Sequence, residues 1–494
     1  MRNIYLLYAG LVLIGFSLFL YLGSIDTLII YDEVYSENLI NYSFLEILQI
    51  TAHDVHPPLY YWGLKAYSNL LGDSILVLRS FSALGMLSVF LLGCFPIRRL
   101  FGHRAALFFI LLIIIFPVSQ YLGVDIRMYS WTMFFVLACA LFALDVYRRG
   151  NIIDWLKFFI TSVCAAYLHN YGLLSVFWIY ALLFLFLFYS KKNWKLLIIC
   201  GILFSVIYLP WFFQLLAQVR NVNTSYWIQP LTLNDLFLHI YYFYSPKEIW
   251  FPFVYFTKIQ MMLALITLMA IQLYLSIKVL VAGIKNKDKD IFIALVSFTA
   301  FLLPIIAGFI YSLVVTPVMV TRYMTCTFGL FALSIAIILS KGYDSLRLRP
   351  LIYLFLALLS LDGAMRLYTN KKYYEASEDK YNQINSFIGE TQEIIVNDYS
   401  SYVLPLVQKI VPEHSYYILS NQATPQLDNK PFNFRVLEQL PTDSTFILLH
   451  EPREEVQAQF KEFRKSLSSD YTIIDSLVVP EMTFYHIKQK RKPL

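Results

Sequence analysis

Two acids, Asp32 and Glu33, stand side by side just beyond the first apolar run, and Asp54-Val55-His56-Pro57-Pro58 follows in the same loop. A carboxylate held beside a cleft accepts the proton of an attacking hydroxyl as its oxygen becomes nucleophilic, and a neighbouring acid orients or tunes it. On that reading Asp32 is the general base and Glu33 its partner. The plainer reading makes both solvated loop residues. His56 is equally a turn residue, and Asp54 an N-cap before the proline pair. Farther on, Arg127 interrupts a short apolar turn between Asp125 and Tyr129, and Arg322-Tyr323 opens an apolar run after the Thr316-Pro317 break. Arginines at the ends of membrane helices often snorkel. A guanidinium fork, however, also suits a phosphate that must be held while it leaves. His169-Asn170, between two runs that turn back almost at once, joins the candidates for the same cavity, against a packing role for a lone histidine.

The elements that must position these residues are membrane helices. The 494 residues are 58% hydrophobic, 17% aromatic and 15% charged, far from a soluble globular mixture. The net charge of +6 is spread as short basic clusters between apolar runs, the pattern that orients spans in a bilayer, so nucleic acid is not implied. Cys94, Cys139, Cys164, Cys200 and Cys326 lie in or beside apolar runs and form neither a disulfide framework nor zinc spacing. The first run is long enough to span and carries no persuasive cleavage site, which predicts a retained first helix.

Apolar runs at 4–23, 75–96, 105–122, 129–147, 155–169, 171–189, 194–213, 259–281, 291–313, 323–340 and 350–367 predict about eleven spans for a ~30 Å hydrocarbon layer. Basic clusters at Arg98, Arg99 and Arg104, at Arg148 and Arg149, at Lys191, Lys192 and Lys195, at Lys285, Lys287 and Lys289, and at Lys341, Arg347 and Arg349 fall at every second turn. Those turns are predicted cytoplasmic, with the N-terminus, and the candidate site residues extracytoplasmic. In the first outer loop, 24–74, residues 43–51 predict one helix along the membrane surface and 59–71 a second, joined at His56. The aromatic loop 217–258, with Tyr226, Trp227, Tyr241, Tyr242, Phe243, Tyr244 and Trp250, suits a cover over a lipid-access cleft. Composition then divides the chain into a membrane domain, 1–369, and a soluble domain, 370–494. Strand patterns at 393–397, 416–419, 446–450 and 471–479 alternate there with amphipathic helices at 402–410 and 454–467, predicting a small α/β domain with a structural or acceptor-docking role.

The Asp-Glu pair after the first span, then Asp54-Val55-His56-Pro57-Pro58-Leu59-Tyr60, then Asp125-Ile126-Arg127-Met128-Tyr129, resemble the protein O-mannosyltransferase and aminoarabinose (lipid A) transferase group, glycosyltransferases of the C superfamily. The resemblance covers roughly residues 1–367 and is clearest in the first 150. It implies a polytopic α-helical membrane enzyme of the cell envelope that transfers a sugar, hexosyl or pentosyl, from a polyprenyl-phosphate carrier to a glycan, lipid or protein acceptor outside the cytoplasmic membrane. Asp32 matches the family's acid after the first span. Asp54, His56, Arg127, Tyr129, His169, Arg322 and Tyr323 are the expected substrate-binding residues, with Arg127 and Arg322 gripping the carrier phosphate. The expected transfer is inverting and metal-independent. Acids and histidines on one loop are also the residue types that hold a divalent ion, so no cofactor is assigned and a divalent cation stays open. The α/β tail departs from the all-β lumenal domain of the better-known mannosyltransferases. Two other classes are a lipid-linked sugar transporter or flippase and a non-catalytic envelope assembly protein. Transporters, however, usually carry polar groups on interrupted midplane helices, whereas here they gather at one membrane face.

Overall fold

The structure is a computed structural model and describes residues 2–25, 29–222, 228, 230–246, 258–389, 393–397, 403–419, 431–432, 434–437, 439–441, 445–450, 470–480 and 482–490. It divides into two compact units: residues 1–25 with 43–371, and residues 26–42 with 372–494. The helices in chain order are α1 (Arg2–Ile25), α2 (Tyr31–Leu39), α3 (Phe44–His53), α4 (Leu59–Leu71), α5 (Ile75–Leu92) and α6 (Arg98–Ile115). Then come α7 (Pro117–Leu122), α8 (Tyr129–Arg148), α9 (Ile152–Leu168), α10 (Asn170–Tyr189), α11 (Trp194–Val222) and α12 (Leu233–Tyr241). The series closes with α13 (Lys258–Lys285), α14 (Lys289–Val314), α15 (Phe328–Gly342), α16 (Arg349–Ile388) and α17 (Leu404–Ile410).

The chain is a multi-pass membrane protein. Among the described residues nine helical runs are long and apolar enough to cross a bilayer. The longest, Ile75–Ile115, holds two of the predicted spans. Its backbone leaves the helix at Gly102, with φ 84° and ψ 176°. Beyond that bend the chain folds back, and Gly93 lies so close to Phe109 and Ile110 that a Cβ there would meet Ile110 at 2.7 Å. Counting this run twice and adding α9, whose 17 residues are short for a span, recovers the eleven predicted. Thr321–Gly342 is the innermost run, 94% buried, whereas Met262–Lys285 is 17% buried and gives most of its apolar surface to lipid.

Both surface helices of the first loop form. Ser43 caps α3 by accepting the Glu46 N–H at 3.3 Å, while Glu46 accepts the Ser43 N–H at 2.8 Å, a complete capping box. Asp54 ends α3 as its C-cap rather than starting α4, whose N-cap is Pro58 with no side-chain bond. Phe44 and Leu45 on α3 and Leu70 and Leu71 on α4 are exposed, the apolar side that a helix lying on a bilayer presents. Gln218 of α11 donates to the Thr51 and Ala52 carbonyls at 3.0 and 3.3 Å and fixes the end of α3. In the aromatic loop 217–258, Tyr242, Phe243 and Tyr244 are buried, while Tyr226, Trp227 and Trp250 lie outside the described residues.

The second unit is α/β. Its sheet contains β1 (Ile395–Asn397), β2 (Tyr416–Leu419), β3 (Arg435–Leu437), β4 (Thr445–His450), β5 (Tyr471–Val479) and β6 (Met482–Gln489). The order is β3-β2-β1-β4-β6-β5, parallel from β3 to β4 and antiparallel through β6 and β5. Ile384, Leu404, Val407, Ile447 and Phe484 share one core beneath it. Two of these strands, β3 and β6, are additions to the four predicted. The helix predicted at 402–410 is α17, and the one predicted at 454–467 lies outside the described residues. Residues 26–42, read in the sequence as part of the outer loop 24–74, pack with this unit. A Lys409–Glu37 ion pair joins α17 to α2, and the Tyr31 and Phe432 rings lie 5.5 Å apart.

Candidate active site

The first unit brings most of the predicted site residues together from four separate stretches of chain. His56 follows the end of α3 and is buried with Pro57 and Pro58. Its turn is pinned by Asn170, the first residue of α10, which donates to the Val55 carbonyl at 2.8 Å. His169 caps the same helix: its Nδ1 accepts the Tyr171 N–H at 3.0 Å. A neutral imidazole with Nδ1 accepting carries its proton on Nε2. That Nε2 and the Nδ1 of His56 are both buried with no hydrogen-bond partner among the described residues. The two imidazole rings lie 5.0 Å apart.

Tyrosines enclose them. Tyr323 stands edge-on, 4.9 Å from the His169 ring and 6.3 Å from the His56 ring, and Tyr129 is 6.1 Å from His169. Tyr171 packs on Tyr323 at 5.3 Å and donates its hydroxyl proton to the Met319 sulfur at 2.8 Å. Close helix packing sets these rings in place. A Cβ on Gly172 would meet the Ala165 carbonyl oxygen at 2.1 Å, and one on Gly308 would meet the Tyr171 hydroxyl at 2.2 Å, so α9, α10 and α14 approach as only glycine permits.

The arginines arrive on turns. Ser82 of α5 donates to the Asp125 carbonyl at 2.6 Å and itself bonds Tyr60 of α4 at 2.9 Å, which ties the 123–128 turn to the proline-started helix. Arg127, buried on that turn, donates from Nη1 to the Tyr61 hydroxyl at 3.1 Å. Arg322 lies in a 3-10 turn, Thr321–Thr327, that precedes α15; the sequence predicted the span to open there directly. Asp54 is half-buried at the end of α3, away from any cap on α4. Asp32 and Glu33 belong to the second unit, in the first turn of α2. Glu33 is buried and accepts the Ile30 N–H at 3.3 Å, which gives it a structural task at the helix start; Asp32 beside it is half-buried. Tyr61 and Tyr171 also stand in this cluster and are not marked by the sequence, where a tyrosine on a surface helix, like Tyr61, or at the start of a span, like Tyr171, reads as an anchor.

Charge follows from this geometry. Burial, then the nearby Arg127, His169 and Arg322, hold the His56 imidazole well below its ordinary pKa of 6.5. His56 is therefore neutral at pH 7, and the positive charge of the site belongs to the guanidiniums. The unfolded chain takes up a proton at His56 as the pH falls through about 6.5, while the folded chain does not. Stability from this source is complete above that pH and is lost below it, by at most about 1.4 kcal/mol per pH unit. Melting curves in detergent from pH 7.5 down to 5 should fall less steeply for His56→Gln than for the wild type; parallel slopes would refute a buried neutral His56. The site thus offers two guanidiniums and an imidazole N–H donor, a set suited to an anion with several oxygens. Among the described residues no group of three or more His, Cys, Asp or Glu is placed to hold a metal ion.

Residues 55–172 match the family model described as dolichyl-phosphate-mannose-protein mannosyltransferase, a stretch that contains His56, Arg127 and His169. No curated protein matches the chain by sequence. Among solved structures, ArnT from Cupriavidus metallidurans in the apo state superposes with a TM-score of 0.58 at 13% identity, covering 98% of each chain. The same protein bound to undecaprenyl phosphate gives 0.57 at 14% identity, over 98% of this chain and 97% of that one. At these identities the likeness is one of fold, and it extends through the α/β tail. The fold is the glycosyltransferase C type that the sequence motifs implied.

Proposed function

We infer that this chain is an integral-membrane glycosyltransferase that moves a sugar from a polyprenyl-phosphate carrier to an acceptor on the extracytoplasmic face, with inversion. The observation that carries the reading is the pair of guanidiniums, Arg127 and Arg322, set around two buried neutral imidazoles at the edge of the apolar helices. A phosphate ester departing from the anomeric carbon needs this environment, because the charge that develops on its oxygen is met by donors already in place. A second feature supports a lipid carrier. A cavity of about 710 Å³ between α10, α11 and α14 is lined by Phe204, Tyr208, Phe212 and Tyr311 and begins at Asn170 and Tyr171, beside His169. An isoprenoid chain fits such a wall chemically. The undecaprenyl phosphate held by the ArnT of similar fold is a carrier of this class.

In the proposed reaction Asp32 takes the proton from the acceptor hydroxyl, whose oxygen attacks the anomeric carbon from the face opposite the phosphate. The bond from that carbon to the phosphate oxygen breaks, and the carrier phosphate leaves with its charge stabilised by Arg127, Arg322 and the His169 Nε2–H. The base assignment rests on the sequence position of Asp32 after the first span and on the task that α2 gives to Glu33. The orientation, with the N-terminus cytoplasmic and the α/β domain extracytoplasmic, follows from the basic clusters.

Purified protein in proteoliposomes, supplied with a labelled polyprenyl-phosphate sugar and an envelope extract, should move label from carrier to acceptor. Label that crosses the bilayer with the carrier bond intact would make the protein a transporter instead. In a deletion strain, mass analysis of glycolipids and glycans should reveal an accumulated carrier-linked sugar and the acceptor that lacks it.

A further inference from the structure

At the end of the membrane unit that carries the basic clusters, a cavity of about 790 Å³ opens between α8, α10 and α14. Its walls are apolar, formed by Ala140, Leu144, Leu183, Phe186 and Phe292, and its mouth is lined by Arg148, Lys287 and Lys289. Phe292 is 53% exposed, so the cavity reaches the lipid-facing surface. Two neighbouring cations at this end are engaged by acids: Arg149 holds Asp154 at 2.5 Å and Asp145 at 3.2 Å, and Arg99 holds Asp145. Arg148, Lys287 and Lys289 have no ion-pair partner among the described residues, and Asp288, which also lines the mouth, is already held by Lys341 at 2.9 Å.

Lys287 has φ 53°, in the left-handed region where the residue after a helix is ordinarily glycine or asparagine; Lys191, outside the cavity, shares this conformation at φ 52°.

We propose that this cavity holds one anionic glycerophospholipid of the facing leaflet, with an acyl chain between α8, α10 and α14 and the headgroup phosphate at Arg148, Lys287 and Lys289. An apolar recess open to the bilayer cannot stay empty without forfeiting packing contacts, and it excludes water. A zwitterionic lipid would fill it equally well by shape. The three unpaired cations select the anionic one, because its phosphate charge has no ammonium of its own to offset it. The site is distinct from the imidazole–guanidinium group and does not depend on the enzymatic reading.

Native mass spectrometry of the full chain in detergent, titrated with phosphatidylglycerol and with phosphatidylcholine, tests the proposal. The wild type should retain one phosphatidylglycerol in preference to phosphatidylcholine. Lys287→Gly suits the left-handed backbone there and should fold as the wild type does; it should weaken phosphatidylglycerol about five-fold, and Lys287→Gly with Arg148→Gln and Lys289→Gln about a hundred-fold, with phosphatidylcholine unchanged. Ala140→Trp, which fills the cavity, should displace both lipids. Equal affinity of the wild type for the two lipids, a preference that survives the triple substitution, retention of phosphatidylglycerol by Ala140→Trp, or tighter capture of a polyprenyl phosphate would each overturn it.

Discussion

Asp32→Asn is expected to bind the carrier normally and transfer sugar about a hundred- to ten-thousand-fold more slowly, the span that a positioned general base contributes. The amide cannot accept the acceptor's proton, yet it preserves the size of the side chain and its place in the first turn of α2. Glu33 is the informative control. Its carboxylate accepts the Ile30 N–H, so Glu33→Gln, which still has an acceptor oxygen, should fold and turn over nearly as the wild type does. Glu33→Ala should destabilise the α/β unit by about 0.5–2 kcal/mol, as the loss of a helix-start bond does, and lower activity only through that loss. Turnover in proteoliposomes and retention of a fluorescent carrier analogue separate the two effects. Near-normal transfer by Asp32→Asn together with an inactive, well-folded Glu33→Gln would reverse the assignment.

Removal of either guanidinium is the second large effect. Arg127→Ala and Arg322→Ala should each lower kcat about a hundred- to a thousand-fold with a smaller change in KM, because charge on the phosphate grows as the sugar departs. Lysine at position 127 should restore little: an ammonium brings the charge but not the planar fork that reaches Tyr61 and a phosphate oxygen together. Because both arginines are assigned to one phosphate, the double variant should lose less than the product of the two single losses. Tyr61→Phe tests positioning alone. It frees Arg127 from one hydrogen bond and should cost a fraction of what Arg127→Ala costs, as a kcat change with KM nearly constant. A single arginine variant with unchanged kcat would remove that residue from the phosphate site.

Much of this site was legible in the sequence because it violates the surrounding pattern. Arg127, His169 and Arg322 each interrupt an apolar stretch, and interruptions are visible without knowledge of packing. The proline pair fixed the start of α4, and the capping box at Ser43 and Glu46 marks the start of α3. What stayed hidden depends on partners distant in sequence. Nothing in residues 26–42 announces that they pack with α17 and Phe432 rather than with the rest of their loop. Tyr171 looks like any aromatic at a helix start until Met319 and Tyr323 are beside it. The strand β6 was overlooked because it follows β5 after only Pro480 and Glu481, where a hairpin is the economical connection, and β3 is too short, at three residues, to show a period. Only the plainer alternative for Asp54 is set aside: a small acid before prolines resembles an N-cap, but here the helix before it ends on it.

The shortness of α9 has a consequence for the membrane itself. Its 17 residues rise about 25 Å, some 5 Å less than a ~30 Å hydrocarbon layer, and the Arg149–Asp154 pair fixes its start at the basic surface. His169, at its far end, therefore sits at acyl-chain depth unless the bilayer dimples to meet it. Hydrophobic mismatch of this size is relieved by local thinning at modest cost. On the proposed function, a carrier phosphate brought to His169 would stay at its own headgroup level while the water above it comes closer, and the thickness of the surrounding lipid would enter the reaction rate.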